Sequence, residues 1–175
     1  MSNDIVVVGS INVDLLLTVE RHPLPGETLL GGAGTQSAGG KGANQALAAA
    51  LRGARTALVG AVGQDAGAAI ARARLTSAGA DLSGVRTVPG PTGLAVVTLS
   101  ADGENTIVVV PGANGTLSPA VVEAAAPQIS SATVCVLQAE IPLESVATAA
   151  RIAADAQVRV VLNAAPAAAL PLETL

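Results

Sequence analysis

No phenylalanine, tyrosine or tryptophan occurs anywhere in the 175 residues. A sugar platform or adenine clamp made of aromatic rings is therefore excluded within this sequence. The core has to be filled by Leu, Val, Ile and many Ala, so elements should pack closely through small individual contacts. Cysteine and histidine occur once each. Cys135 lies in the apolar run Ala132 to Leu137 and reads as a buried, inert thiol. His22, between Arg21 and Pro23, reads as a solvated loop residue, and no metal constellation can be built from it. Charge is scarce as well: 13% of residues are charged and the net charge is -4, which leaves no basic face for nucleic acid. Every long uncharged run is broken by Pro, Gly or Asn, which argues against a membrane span, and Met1 to Asp4 lacks the basic region of a secretory signal. A cytoplasmic protein is expected. With half of its residues hydrophobic, the chain is globular and long enough for one sizeable core, or most of one.

What is present centres on Gly39-Gly40-Lys41-Gly42-Ala43-Asn44, followed by the Ala-rich run Gln45 to Arg52. Glycines let the backbone approach a ligand without Cβ atoms in the way, and the run that follows is a strong helix former. The stretch predicts a helix N-terminus presented to a polar or anionic group, with unpaired N–H donors and the positive pole of the helix dipole. Lys41, the only lysine, adds a full charge. Two familiar glycine motifs are absent. A P-loop would need Gly at Thr35 and Ser or Thr at Gly42, and a dinucleotide fingerprint starting at Gly40 would need its third glycine at Gln45.

In chain order, Ile5 to Val8 is a β-branched run of the kind found in strands covered on both faces. Leu15 to Val19 predicts a second short strand, His22 to Gly26 a turn, and Glu27 to Gln36 a glycine-diluted extended segment. Thr56 to Val62 is another strand, and Asp65 is the N-cap of a helix through Ser77 closed by Gly79. Leu94 to Leu99 and Thr106 to Val110, joined around Asp102-Gly103, form a hairpin. With the segments after Asp14 they predict a small antiparallel sheet outside the main one. Ser118-Pro119 opens a helix to about Ala126. A strand at Thr133 to Leu137, a helix at Pro142 to Ala156 and a strand at Val158 to Leu162 follow. The tail Asn163 to Leu175 is rich in Ala and Pro.

Alternation of strand and helix predicts an α/β fold, a Rossmann-like parallel sheet with helices on both faces. In such sheets ligands gather beyond the carboxyl ends of the strands. Polar residues sit at those places: Asn12 and Asp14, Gln64 and Asp65, Gln138 and Glu140, and Asn163. Acceptors from several strand ends beside a helix N-terminus supplying donors suit a polyol, because a carboxylate accepts hydrogen bonds from hydroxyls. Asp14 and Glu140 are the strongest candidates. Each also has a plain structural reading, Asp14 as the cap of a turn and Glu140 as a solvated loop residue.

Gly9-Ser10-Ile11-Asn12-Val13-Asp14, Pro25-Gly26-Glu27-Thr28, Gly39 to Ala46, Gly112-Ala113-Asn114 with Leu117-Ser118-Pro119, and Leu137 to Pro142 occur in this order. Together they resemble the N-terminal half of the ribokinase branch of the PfkB carbohydrate kinase family, over nearly the whole chain. Asn163-Ala164-Ala165-Pro166 departs from the family's Asn-Pro-Ala-Pro. The resemblance implies that residues 1–175 are the N-terminal substrate-binding part of a ribokinase-like α/β domain. A β-sheet lid is implied from about Leu15 to Gln36 and from about Thr92 to Val110. D-ribose would be held by Asn12, Asp14, Gly40, Lys41, Gly42, Ala43, Asn44 and Glu140.

The resemblance further implies a homodimer through the lid and transfer of the ATP γ-phosphoryl to the ribose 5-hydroxyl with Mg2+, with a monovalent cation as a further family ion. The family's catalytic base lies in a Gly-Ala-Gly-Asp motif, and an Asn-x-x-Glu motif is associated with its metal; neither occurs between Met1 and Leu175. No catalytic residue is therefore expected in this chain, and the nucleotide and metal sites are expected mostly outside it. Two readings stand: a sugar kinase whose activity belongs to a longer protein, or a non-catalytic sugar-binding or dimerising remnant. A kinase of the same family for another sugar or a nucleoside is a further alternative.

Overall fold

Strand β1, Ile5–Val8, lies at the middle of a five-stranded, all-parallel sheet in the computed structural model, which describes residues 3–169. Its β-branched side chains favour extended backbone, and the absence of polar alternation follows from burial on both faces. Across the sheet the order is β5 (Val85–Val88), β4 (Thr56–Gly63), β1, β8 (Val134–Gln138), β9 (Arg159–Asn163). Successive residues feed opposite cores. Val6, Val8 and Val59 pack with Val146, Ala149 and Ala153 of α5 (Leu143–Asp155), together with α3 (Pro119–Ala124) and α4 (Ala126–Ser130). Val7 and Leu58 pack on the other side with Ala46 and Leu47 of α1 (Lys41–Leu51) and with Ala71 and Leu75 of α2 (Ala66–Ser77). The core without aromatics thus closes through alanine-faced helices on both sides of the sheet.

A second sheet of four strands has the order β3 (Thr35–Gly39), β2 (Asn12–Val19), β6 (Gly93–Ser100), β7 (Asn105–Val110). The expectation of an antiparallel sheet is corrected here: β2 pairs with β3 antiparallel, with β6 parallel, and β6 with β7 antiparallel. The parallel pair arises because β2 and β6 are joined by a long crossover through α1, β4, α2 and β5 rather than by a hairpin. Strand β2 also starts at Asn12, not Leu15, since pairing with Gly39 and Gly93 overrides the weak strand preference of Asn and Asp. Of the extended segment expected over Glu27 to Gln36, only Thr35 and Gln36 fall in a strand, β3.

Other expectations meet the structure unevenly. Asp65 caps α2 as expected, its Oδ1 accepting from Ala68 N–H at 3.0 Å. The helix opened by Ser118-Pro119 stops at Ala124 and restarts at Ala126, because Pro127 offers no N–H and its ring opposes continuation of the turn before it. Strand β5 carries no sequence signature: Arg86 and Thr87 are exposed on a short edge strand, so no apolar run marks it. His22 is half-buried rather than solvated, its Nε2 lying 3.2 Å from Ser100 Oγ and its Nδ1 3.4 Å from Thr106 Oγ1. Among the described residues no helix is long and apolar enough to cross a membrane. Leu170 to Leu175, the end of the Ala- and Pro-rich tail, lies outside the described residues.

Candidate functional site

Where the carboxyl end of the parallel sheet meets the small sheet, a pocket of about 120 Å3 is lined by Asn12, Asp14, Gly40, Lys41, Asn44 and Glu140. Its opposite wall is apolar: Ala95 and Val97 of β6, and Ile107 and Val109 of β7. Pairing of Ala95 with Val109 and of Val97 with Ile107 puts these four side chains on one face, the face that also carries Asn12 and Asp14. The volume is below the range of about 300–1,000 Å3 for drug-sized ligands and suits a small polar molecule.

Six of the eight residues expected to hold a sugar therefore line one pocket. Gly42 and Ala43 do not. Gly42 is buried where α1 crosses the Gly9–Ser10 backbone, with no room for a Cβ, and Ala43 belongs to the core beside Leu47. Gln64, Asp65, Gln138 and Asn163 are also absent from the lining, so the broad convergence of strand-end polar groups narrows to Asn12, Asp14 and Glu140. Asp65 is occupied elsewhere, accepting from Thr92 N–H at 2.8 Å and Thr92 Oγ1 at 2.6 Å. Gln138 is fully buried and donates to Gln45 Oε1 at 2.6 Å.

The expectation that the start of α1 offers free donors to a ligand is also corrected. Lys41 N–H donates to Glu140 Oε2 at 3.0 Å, Gly42 N–H to Ser10 Oγ at 3.3 Å, and Ala43 N–H to the Ser10 carbonyl at 2.9 Å. Ser10 Oγ in turn donates to Glu140 Oε2 at 2.6 Å. The helix has no acid in its first turn and no side-chain cap of its own, so Glu140 serves as the anion at its positive end from 99 residues away in sequence. Glu140 is accordingly a held residue, with its side chain only 10% exposed, and not a solvated loop residue. Gly40 makes this geometry possible: φ is 91° and a Cβ would press on Asn12 N and the Ser10 carbonyl.

The polar groups left facing the pocket are few. Lys41 Nζ lies 3.3 Å from Glu140 Oε1. Asp14 is half-buried, and its carboxylate folds over Gly39, where any Cβ would overlap it. Burial pushes the Asp14 carboxyl above its ordinary range; the Glu140 carboxylate adds to the rise and the Lys41 ammonium opposes it. Asn12 is 2% exposed, and its Oδ1 accepts from Asn114 Nδ2 at 2.7 Å. Ser10 and Asn114 join the site only through the structure, by bonds to Glu140 and Asn12, although both lie in the motifs that carry the resemblance. Two carboxylates, one ammonium and two amides around so small a volume can take up the hydroxyls of a polyol, while the aliphatic wall can meet its C–H face.

A nucleotide and Mg2+ do not fit the described residues. The donors that could cradle a phosphate at α1 are already bonded to Glu140 and Ser10, and the two pocket carboxylates are neighbours of a lysine ammonium. No group of three or more His, Cys, Asp or Glu able to hold a metal ion occurs among the described residues.

Residues 2–175 match the pfkB family of carbohydrate kinases. The ribokinase of Staphylococcus aureus (strain COL) is 43% identical over 177 residues, covering 100% of this chain and 58% of that protein. The deoxyribokinase of Salmonella typhi is 38% identical over 165 residues, 94% of this chain and 54% of that protein. The structure of Arabidopsis thaliana ribokinase complexed with ribose and ATP superposes with a TM-score of 0.82 at 38% identity, over 94% of this chain and 54% of that one. The chain thus spans a little over half the length of these relatives. It belongs to the pfkB family of carbohydrate kinases.

Proposed function

We propose that this chain is the sugar-binding half of a ribokinase-type kinase, which phosphorylates D-ribose to ribose 5-phosphate at the expense of ATP. The observation that carries the reading is the meeting of Asn12, Asp14, Lys41 and Glu140 around one small pocket with an aliphatic opposite wall. Asp14 and Glu140 accept hydrogen bonds from ribose hydroxyls, each worth about 1.5–3 kcal/mol when a charged group is involved. Lys41, Asn44 and Asn12 supply donors from the other sides. Gly40 lets the backbone come close to the sugar, and Gly42 and Ala43 support the site by seating α1 against Gly9 and Ser10. The contribution of these residues to the reaction is orientation: they bind the sugar and hold it while the aliphatic wall excludes water. ATP, Mg2+ and a monovalent cation would be held mostly by residues beyond this chain, and so would the base that takes the proton of the 5-hydroxyl.

The setting that goes with this reading is a cytoplasmic homodimer joined through the small sheet. Val108 and Val110 are exposed on the face of this sheet turned away from the pocket, and Leu16, Ile107 and Val109 on the pocket face, so a second copy has apolar surface to cover there. Calorimetric titration of the chain with D-ribose tests the assignment, with ATP-dependent phosphorylation measured in parallel. Weak, saturable D-ribose binding without turnover is the expected result. No binding overturns the sugar reading, and clear turnover overturns the placement of the base outside the chain. Titration with 2-deoxyribose and with a nucleoside separates the alternatives within the family.

A further inference from the structure

Asn114 sits in the 3-10 turn Gly112–Thr116 that follows β7, 1% exposed, and touches the pocket only through another residue. Its side chain spans the backbone of Ile11: Oδ1 accepts from Ile11 N–H at 2.9 Å, and Nδ2 donates to the Ile11 carbonyl at 3.1 Å. An amide side chain can be turned either way in principle, but a backbone N–H only donates and a carbonyl only accepts. Ile11 therefore fixes which end of Asn114 is which. The second hydrogen on Asn114 Nδ2 is then directed to Asn12 Oδ1, 2.7 Å away. That bond fixes Asn12 in turn, with its carbonyl oxygen toward Asn114 and its NH2 group left for the pocket that Asn12 lines. Gly93, paired with Asn12 across the sheet, keeps the place clear, since a Cβ there would overlap both amides.

We propose that Asn114 is a positioning residue that sets the polarity of the sugar site, by forcing Asn12 to present a donor to the ligand. This inference rests on the sugar-binding reading of the pocket. Asp14 and Glu140 present acceptors, so a pocket in which Asn12 also turned its oxygen inward would have three acceptors and only the lysine and Asn44 to balance them. With the relay intact, the site requires an acceptor oxygen on the sugar at Asn12 and hydroxyl donors at the two carboxylates. Specificity for a sugar is thereby linked to a turn that touches no ligand.

The test combines side-chain amide exchange by nuclear magnetic resonance with D-ribose titration of the full 175-residue chain. In the free wild-type chain the Asn114 NH2 protons should be protected from exchange and those of Asn12 should not. D-ribose should then shift and protect the Asn12 pair. Asn114→Asp keeps the acceptor for Ile11 N–H but removes both donated bonds, so Asn12 should turn to donate to it. The expected result is at least tenfold weaker D-ribose binding, with Asn12 NH2 now protected in the free chain. A merely structural role would lower the melting temperature without moving that protection.

Wild-type binding and protection retained in Asn114→Asp overturn the proposal, and so does an Asn12 pair already protected in the free wild type. If Asn114→Asp does not fold, the wild-type exchange pattern still decides. If wild type does not bind D-ribose at all, the sugar reading falls, and the exchange pattern alone judges the amide relay.

Discussion

The two sheets of this molecule solve burial differently. Strand β4 of the parallel sheet is buried at all eight positions, while β7 of the small sheet is exposed at all six, although its last four residues, Ile107 to Val110, are as apolar as those of β4. The difference lies in what covers them: helices on both faces in one case, and in the other a pocket on one face and little else near β7. Apolar sequence in the body contributes to stability within the chain. Apolar sequence in the small sheet is left at the surface, at Ile107 to Val110. The site sits on the seam, with Glu140, Lys41 and Asn44 supplied by the body and Asn12 and Asp14 by the small sheet.

The largest expected effect tests the first half of that contrast. Leu58→Ala removes a fully buried side chain between α1, α2 and the sheet, and should cost about 2–5 kcal/mol in urea unfolding. Ile107→Ala, a truncation of similar size on the pocket wall, should cost far less in stability while weakening D-ribose binding. Equal losses of stability would mean that the small sheet is as self-sufficient as the body.

Asp14→Asn is next, and should weaken D-ribose binding by about 1.5–3 kcal/mol, or roughly 10- to 140-fold. Its effect on stability should have the opposite sign. The folded-state carboxyl titrates above the ordinary value of 3.8, so the folded chain favours the protonated form. That contribution is fully present below pH 3.8 and is lost as pH rises through the raised folded value. At pH 7 the ionised, half-buried carboxylate is therefore a cost that Asn removes. Unfolding midpoints should be higher for Asp14→Asn than for wild type at pH 7, and the gap should close as pH falls below 3.8. A variant less stable than wild type at pH 7 would show that Asp14 serves the fold, as a turn cap does.

Asp65→Ala addresses the joint between the sheets from the other side. The carboxylate caps α2 through Ala68 N–H and holds Thr92, the residue before β6. Hydrogen bonds from Thr92, with the Ala68 N–H, keep its carboxyl below the ordinary range. Loss of the cap should cost about 1 kcal/mol, and amide exchange should rise in the first turn of α2 and at the start of β6 together. A rise confined to α2 would mean that the sheets are not joined through this residue.

How much of this could be read from sequence depended on whether the signal was local. Ile5 to Val8, Thr56 to Val62, the Asp65 cap and the Asp102-Gly103 hairpin all declare themselves within a few residues, by β-branching, by a capping side chain or by turn chemistry. Asp14 and Glu140 were legible as acceptors at strand ends, and the pocket contains both. The parallel pairing of β2 with β6 was not legible, because 80 residues of crossover separate Val13 from its partner Leu94 and nothing local sets their direction. Nor was the fate of the α1 donors. Glycines before a helix announce free N–H groups, but the groups that take them, Ser10 and Glu140, lie 31 and 99 residues from Lys41 in the chain. Charge bookkeeping at a helix start is a tertiary property, and here the protein's own carboxylate takes the place that an external anion would take elsewhere.

The smallest expected effect on stability carries the other half of the comparison. Val108 is 64% exposed on β7, so Val108→Lys at low protein concentration should shift the unfolding free energy by no more than about 0.5 kcal/mol. Its effect should appear in association instead. Sedimentation of the wild-type chain should show self-association that grows with concentration, and the lysine should suppress it by placing a charge on the surface a second copy would cover. The pairing of Val108 with Val96 puts it on the face of β6 and β7 opposite to Val97 and Ile107. D-ribose binding by the single chain should therefore survive the change. Loss of binding together with association would mean that a second copy helps to form the pocket, and the seam between body and small sheet would then be only part of the site.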